Sequence, residues 1–193
     1  MILNSPSFQT LFARKLGDTI SNNMEERILL VDEHDKEEGF GNKMETHREG
    51  RLHRSFSIFV FNHKGELLMQ QRAKTKYHSG GLWSNTCCSH QREGETLEDA
   101  IHRRLQEEMG FDTALKELFT FTYKVKLDHD LFEHEYDHVF TGTIDGNPTP
   151  NPEEVDDWKF VDLKELQKDI KENPDSYTAW LRIAFDRVLD HLK

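Results

Sequence analysis

Hydrophobic and polar positions alternate in several separated stretches of the chain, and each alternation predicts a strand. Arg27–Asp32 reads as a first strand, and the polar stretch from Glu33 to Gly50 that follows it reads as loop. Within 54–61, Phe56, Ile58 and Val60 fall on one face and Ser57, Phe59 and Phe61 on the other. Asn62-His63-Lys64-Gly65 then turns the chain into a second strand, Glu66–Gln71, to make a hairpin. Gly80-Gly81 opens another strand over Leu82–Cys88, and further strands are predicted at Phe119–Leu127, His134–Ile144 and Trp158–Val161.

The period changes to that of a helix at Thr96–Met109. Thr96 stands as cap with Asp99 three residues on, Leu97, Ala100, Ile101 and Leu105 repeat at helical spacing, and Gly110 ends the run. Further helices are expected at Pro6–Leu16, capped by Ser5, at Leu163–Glu172 after Asp162, and at Ser176–Leu192. Asn147–Pro152 reads as a surface turn. Strands, one central helix, more strands and terminal helices describe an α+β fold, a sandwich with a mixed sheet. One domain over residues 1–193 is expected, with 1–25 an N-terminal extension to which no role is assigned.

Composition narrows the function. The 193 residues carry 36 acidic and 25 basic side chains, a net charge of −11 that argues against nonspecific attraction to nucleic acid or anionic membranes. No apolar run approaches a membrane span and the N-terminus lacks a charged-then-apolar signal pattern, so a cytoplasmic protein is expected. The two cysteines, Cys87 and Cys88, are adjacent, an arrangement ill-suited to a mutual disulfide, and at least one is expected to be a free thiol.

Four clusters could carry chemistry. On the central helix, Arg104 and Glu108 fall in the middle of the apolar face, whereas Glu107 falls off it. Charges there must be paired, metal-bound or lining a polar cavity, and an i,i+4 ion pair at the stripe's edge is as good a reading as a functional one. Cys88 and His90 share a face of their strand; a metal site, a nucleophile with its base, an acid with a ligand, and an inert buried thiol beside a surface imidazole all fit the pair.

In Glu133-His134-Glu135, alternation turns both carboxylates to one side and His134 to the other. With His47, His53 and His90 they would make a nitrogen/oxygen site suited to Zn²⁺, Mn²⁺ or a similar ion, or else they form a solvated acidic edge. The fourth cluster is basic: Lys43 precedes His47, and Arg72-Ala73-Lys74-Thr75-Lys76 follows the hairpin. It could clamp a diphosphate or merely solubilise a loop.

In their order along the chain these residues resemble the Nudix-like, metal-dependent isopentenyl diphosphate isomerases. The likeness runs from about Lys43 to Trp180 through His47 and His53, Leu68–Ala73, Trp83-Ser84-Asn85-Thr86-Cys87-Cys88-Ser89-His90, Arg103-Arg104-Leu105-x-Glu107-Glu108-x-Gly110, Tyr123 and Glu133-His134-Glu135. The resemblance implies a Nudix-like α/β/α sandwich that interconverts isopentenyl and dimethylallyl diphosphate, a small-molecule diphosphate substrate. It further implies that His47, His53, His90, Glu133 and Glu135 hold one Mn²⁺, Zn²⁺ or Mg²⁺, and that Glu108 holds an Mg²⁺ bridging to the diphosphate. Cys88 and Glu135 would be the acid/base groups with Tyr123 assisting, Lys43, Arg72, Lys76 and Arg104 would grip the diphosphate, and Trp180 would form an aromatic wall. Oligomeric state is not legible. The competing expectation is a Nudix hydrolase of a nucleoside or other diphosphate, since Glu95, Arg103, Glu107 and Glu108 keep part of the hydrolytic pattern. Ser89 and Arg104 depart from it, standing where that pattern has a glycine and a glutamate.

Overall fold

The computed structural model describes residues 26–193; the Pro6–Leu16 helix expected from the sequence lies outside them. Among the described residues nine strands and four α-helices are present. The strands are β1 (Arg27–Val31), β2 (Glu37–Asn42), β3 (His53–Phe61), β4 (Leu67–Arg72), β5 (Trp83–Ser84), β6 (Cys87–His90), β7 (Lys116–Lys126), β8 (Phe132–Thr143) and β9 (Val155–Val161). The helices are α1 (Lys43–Glu49), α2 (Leu97–Met109), α3 (Leu163–Glu172) and α4 (Ala179–His191).

β3 organises the sheet. It runs parallel to β8 along its whole length, from His53↔Glu135 to Phe61↔Thr143, and antiparallel to β6 from Ser55↔His90 to Ile58↔Cys87. Its two alternating apolar faces are both covered, as expected of a central strand. Phe56, Ile58 and Val60 pack with Cys87, Ala100, Ile101, Leu105 and Met109 beneath α2. Phe59 and Phe61 pack with Phe121, Val139, Trp180, Leu181 and Phe185 beneath α4. On this second face the character of β3 changes along its length, from buried His53, Ser55 and Ser57 to buried Phe59 and Phe61. The polar half becomes the floor of the site.

The predicted central helix is present with its capping box: Thr96 Oγ1 accepts from Asp99 N at 3.1 Å and Asp99 accepts from Thr96 N. Gly110 closes it at φ 74°, where a Cβ would also lie 2.1 Å from Thr149 O, so glycine is required twice over. Asn147–Pro152 is less a free surface turn than a cap, since Thr149 N and Asn151 N donate to Met109 O and Glu108 O at the end of α2.

Two expectations fail. Glu33–Gly50 is not loop but contains β2 and α1, and Leu82–Cys88 is not one strand but two short ones separated at Asn85-Thr86. β2 pairs with β1, begins with exposed Glu37 and Glu38 and carries Gly39 and Gly41, and α1 buries Thr46 and His47 rather than an apolar stripe. Neither carries a hydrophobic period. The break at Asn85-Thr86 has its own cause: Thr86 Oγ1 donates to Leu68 O on β4 at 2.6 Å and accepts from Val60 N on β3 at 2.9 Å, while Asn85 Nδ2 donates to Ile58 O. The Thr86 hydroxyl thus bridges β3 and β4, which are paired only at Phe61↔Leu67.

Candidate functional site

Between β3 and the helices lies a solvent-open cavity whose lining includes residues from all four sequence clusters. α1 starts at Lys43 behind the Asn42 cap, whose Oδ1 accepts from Glu45 N at 3.2 Å, and one turn later it delivers His47 to the interior. β3 supplies His53, β6 supplies Cys88 and His90, and β8 supplies Glu133 and Glu135. β6 and β8 flank β3 on its two edges, so Cys88 and Glu135 enter the same cavity from different strands. Alternation sends Cys87 to the other face, into the core under α2, and turns His134 away from the cavity to Gly50 O at 2.9 Å. Both thiols are free.

Ligand atoms of His47, His53, His90 and Glu133 lie within 4.8 Å of one another. The Nδ1–H groups of His47 and His53 donate to the carbonyls of Lys43 at 2.6 Å and Arg51 at 2.9 Å, which directs both Nε2 atoms inward. Those Nε2 atoms, His90 Nδ1 and Glu133 Oε2 are buried without a hydrogen-bond partner, although His47 Nε2 and Glu133 Oε2 are only 3.2 Å apart. Converging buried donors that do not bond to each other fit a divalent metal ion at their common centre. Glu135 stands beside the four rather than among them, accepting from His90 Nε2 at 3.0 Å and from Tyr123 Oη at 2.5 Å. Burial lowers the His90 pKa to about 4, so this imidazole is neutral, as a ligand must be. Burial favours neutral Glu133, but His47 and His78 outweigh it and hold the carboxyl well below its usual range.

The thiol is electrostatically distinct. Burial, reinforced by Glu108, Glu135 and Asp137 and opposed by Arg72, pushes Cys88 up to about 12, and burial with Glu135 keeps the Tyr123 hydroxyl protonated. Beneath them Asp137 is fully buried and accepts from Ser55 Oγ at 3.2 Å and Ser57 Oγ at 2.8 Å.

The cationic residues also converge, and most are already paired. Lys43 Nζ meets Glu26 at 2.8 Å, Lys76 bonds Glu154, and Arg104 bonds both Glu107 at 2.8 Å and Glu108. Glu108 is 3 % exposed; burial would raise its carboxyl, but Arg104, Lys76 and a 2.8 Å bond from Gln70 Nε2 hold it down to about 2. Burial lowers Lys76 to about 8. The Arg104–Glu108 ion pair and the cavity-lining reading of the helix are thus both correct. Arg72 donates to His78 O at 3.3 Å, its Nε has no partner, and its guanidinium lies 5.1 Å from the Trp180 ring. Trp180 belongs to the core beneath α4 and lines the cavity, with Nε1 donating to Ser84 Oγ at 2.9 Å.

Sequence reasoning missed Glu26, Glu154, Tyr77 and His78. Tyr77 and His78 line the cavity, and Glu26 and Glu154 pair the cations that do. All four acquire their places through contacts remote in sequence, such as Lys76 to Glu154 across 78 residues, and no local spacing signals them.

The NUDIX domain family profile matches residues 51–181. The isopentenyl-diphosphate Delta-isomerase 2 of Aromatoleum aromaticum is 55 % identical over 166 residues, covering 86 % of this chain and 88 % of the relative. That of Photorhabdus laumondii is 54 % identical over 159 residues, covering 82 % and 90 %. Among solved structures, the DR0079 protein of Deinococcus radiodurans superposes with a TM-score of 0.72 at 21 % identity, covering 84 % of this chain and 98 % of that one, a likeness of fold. By fold, matched profile and close sequence relatives, the chain belongs to the NUDIX domain family and, within it, to the isopentenyl-diphosphate Delta-isomerases.

Proposed function

We propose that this protein interconverts isopentenyl diphosphate and dimethylallyl diphosphate, serving isoprenoid biosynthesis, by adding a proton at one carbon and removing one from another through a tertiary carbocation. The observation that carries this reading is the entry of Cys88 and Glu135 into one cavity from the two strands flanking β3, with Tyr123 on β7 donating to Glu135. Moving a double bond by one position needs two proton-handling groups and no water. Cys88, kept a neutral thiol by burial, holds one proton; Glu135, bonded to the Tyr123 hydroxyl, handles the other; their roles exchange with the direction of reaction. The indole face of Trp180 offers a negative π-surface to a developing carbocation that must be kept from solvent.

Arg72, Lys76, Lys43 and Arg104 bind the diphosphate oxygens in this reading, Arg72 with the most freedom because, unlike the other three, it has no carboxylate partner among the described residues. His47, His53, His90 and Glu133, with Glu135 adjacent, hold a divalent ion, and Glu108 contributes to an Mg²⁺ at the diphosphate; such ions would order the carboxylates and neutralise charge on the substrate.

Hydrolysis is the weaker reading for a physical reason. Arg104 occupies a carboxylate position of the hydrolytic pattern and engages two of its three remaining glutamates, Glu107 and Glu108, while Arg103 engages the third, Glu95, at 2.6 Å. Incubating the metal-loaded protein with isopentenyl diphosphate and following products by proton NMR separates the two: dimethylallyl diphosphate is expected, and release of phosphate without it would sink the proposal.

A further inference from the structure

His78 lies on the loop joining β4 to β5 and is 5 % exposed. The loop closes on itself: Arg72 N donates to Leu82 O and Gly81 N to Arg72 O, each at 2.9 Å, and Lys76 N donates to Ala73 O at 3.0 Å. Gly80 fits so closely that a Cβ would lie 2.8 Å from Lys74 O. A backbone constrained in this way fixes where the imidazole points, and it points into the cavity. There Nε2 lies 3.2 Å from Glu133 Oε1, Nδ1 lies 3.2 Å from Ser79 Oγ, and the ring meets Trp180 edge-on at 5.9 Å. A Ser79 hydroxyl donating to Nδ1 leaves the proton on Nε2, facing the carboxylate.

We infer that His78 is a positioning residue for the divalent-ion site, its Nε2–H engaging Glu133 Oε1 so that Oε2 stays aimed at the ion held with His47 and His53. The inference rests on the reading of that site as a metal site. Glu133 Oε1 faces His78 Nε2, whereas Oε2 lies 3.2 Å from His47 Nε2 and 3.8 Å from His53 Nε2, so the two oxygens of one carboxylate face different imidazoles. A carboxylate free to rotate would present either oxygen, or both; an outer partner removes that freedom before the ion arrives. His78 itself lies outside the group of four converging ligands. Its main chain has a second duty, since His78 O accepts from Arg72, one of the cavity cations. The imidazole can therefore be removed while the contact to Arg72 is retained.

The test is competition with a chromophoric chelator for Mn²⁺ and Zn²⁺ in the wild type, His78→Phe, His78→Gln and His53→Gln, with thermal melting in excess chelator to check folding. His78→Phe is expected to bind either ion about 10–100-fold more weakly, the range typical of a lost outer-sphere partner. His78→Gln, whose amide can donate from nearly the same point, should come within about threefold of wild type, and the KM for isopentenyl diphosphate at saturating metal should change little in both. Should His78→Phe melt early, His78→Leu takes its place. Wild-type affinity in the Phe or Leu variant overturns the inference. A His78→Gln loss as large as that of His53→Gln overturns it differently, by making His78 a ligand. If the wild type binds no better than His53→Gln, the metal-site reading fails, and that outcome is distinguishable because it appears before any His78 variant is considered.

Discussion

The two ends of the cavity solve opposite problems. At the histidine end, four buried ligand atoms face one another without hydrogen bonds and the nearby carboxylates repel, so this end gains by accepting positive charge. At the basic end, Lys43, Lys76 and Arg104 each already have a carboxylate partner, whereas among the described residues no carboxylate pairs with Arg72. An ion completes the first end, whereas an anion entering the second must compete with Glu26, Glu154, Glu107 and Glu108. The pairing also explains how a protein of net charge −11 keeps several cations buried in one place without unfolding.

Cys88 offers the sharpest way to break this picture, because it stands between the ends and belongs to neither. Cys88→Ala should lower kcat by about 10²–10⁴, the usual worth of a general acid or base, with metal affinity and melting temperature retained. Cys87→Ala should do the reverse: turnover nearly unchanged and some stability lost, because that side chain fills the core under α2. Equal turnover in the two variants would remove Cys88 from the chemistry.

Next in size is ion binding. Adding Mn²⁺ or Zn²⁺ to chelator-treated protein at a hundredfold excess over Kd should stabilise it by about 2.7 kcal/mol in denaturant titrations. His53→Gln should abolish the effect and Lys76→Gln should preserve it. Sensitivity to Lys76 would mean that the ends are not independent.

At the basic end, Arg104→Gln should cost about 1.5–3 kcal/mol in kcat/KM for isopentenyl diphosphate, the worth of a charge-assisted hydrogen bond. Arg104→Glu should not create diphosphate hydrolysis. Unchanged kinetics in the Gln variant would leave Arg104 as the structural partner of Glu108 alone.

The smallest effect is expected at Glu26, and it depends on pH. Burial would raise this carboxyl, but Lys43 and Arg92 hold it well below its ordinary 4.5. The folded state therefore binds fewer protons than the unfolded state as the pH falls below that value. The stabilisation is complete above about 4.5 and disappears as the pH drops through the depressed folded value. Wild type should exceed Glu26→Gln by on the order of 1–2 kcal/mol at pH 7, with the gap narrowing under acid.

What could be read from the sequence was whatever a local period or cap encodes. The α2 capping box, the two buried faces of β3, the shared face of Cys88 and His90 and the opposite direction of His134 all follow from spacings of one to four residues. Segment 33–50 misled for the same reason. The inward residues of α1 are Thr46 and His47, which count as polar in any hydrophobic pattern, so a helix built to deliver a ligand looks like loop. Glu154, Glu26 and His78 were invisible because their partners come from other turns of the chain, and Thr86 because its hydroxyl substitutes for a missing ladder between strands.

The parallel pairing of β3 with β8 also governs the order of assembly. Ser55 and Asp137, bonded across that seam, are 82 residues apart, and the same seam sets His53 beside Glu135. Nothing short of closing this long loop brings the imidazoles to the carboxylates, so an ion has no complete binding place in an early, locally structured chain. Its contribution arrives after the folding barrier has largely been crossed and is felt as resistance to escape from the native state. For this protein, metal supply in the cell would govern how long a finished molecule lasts more than how quickly one is made.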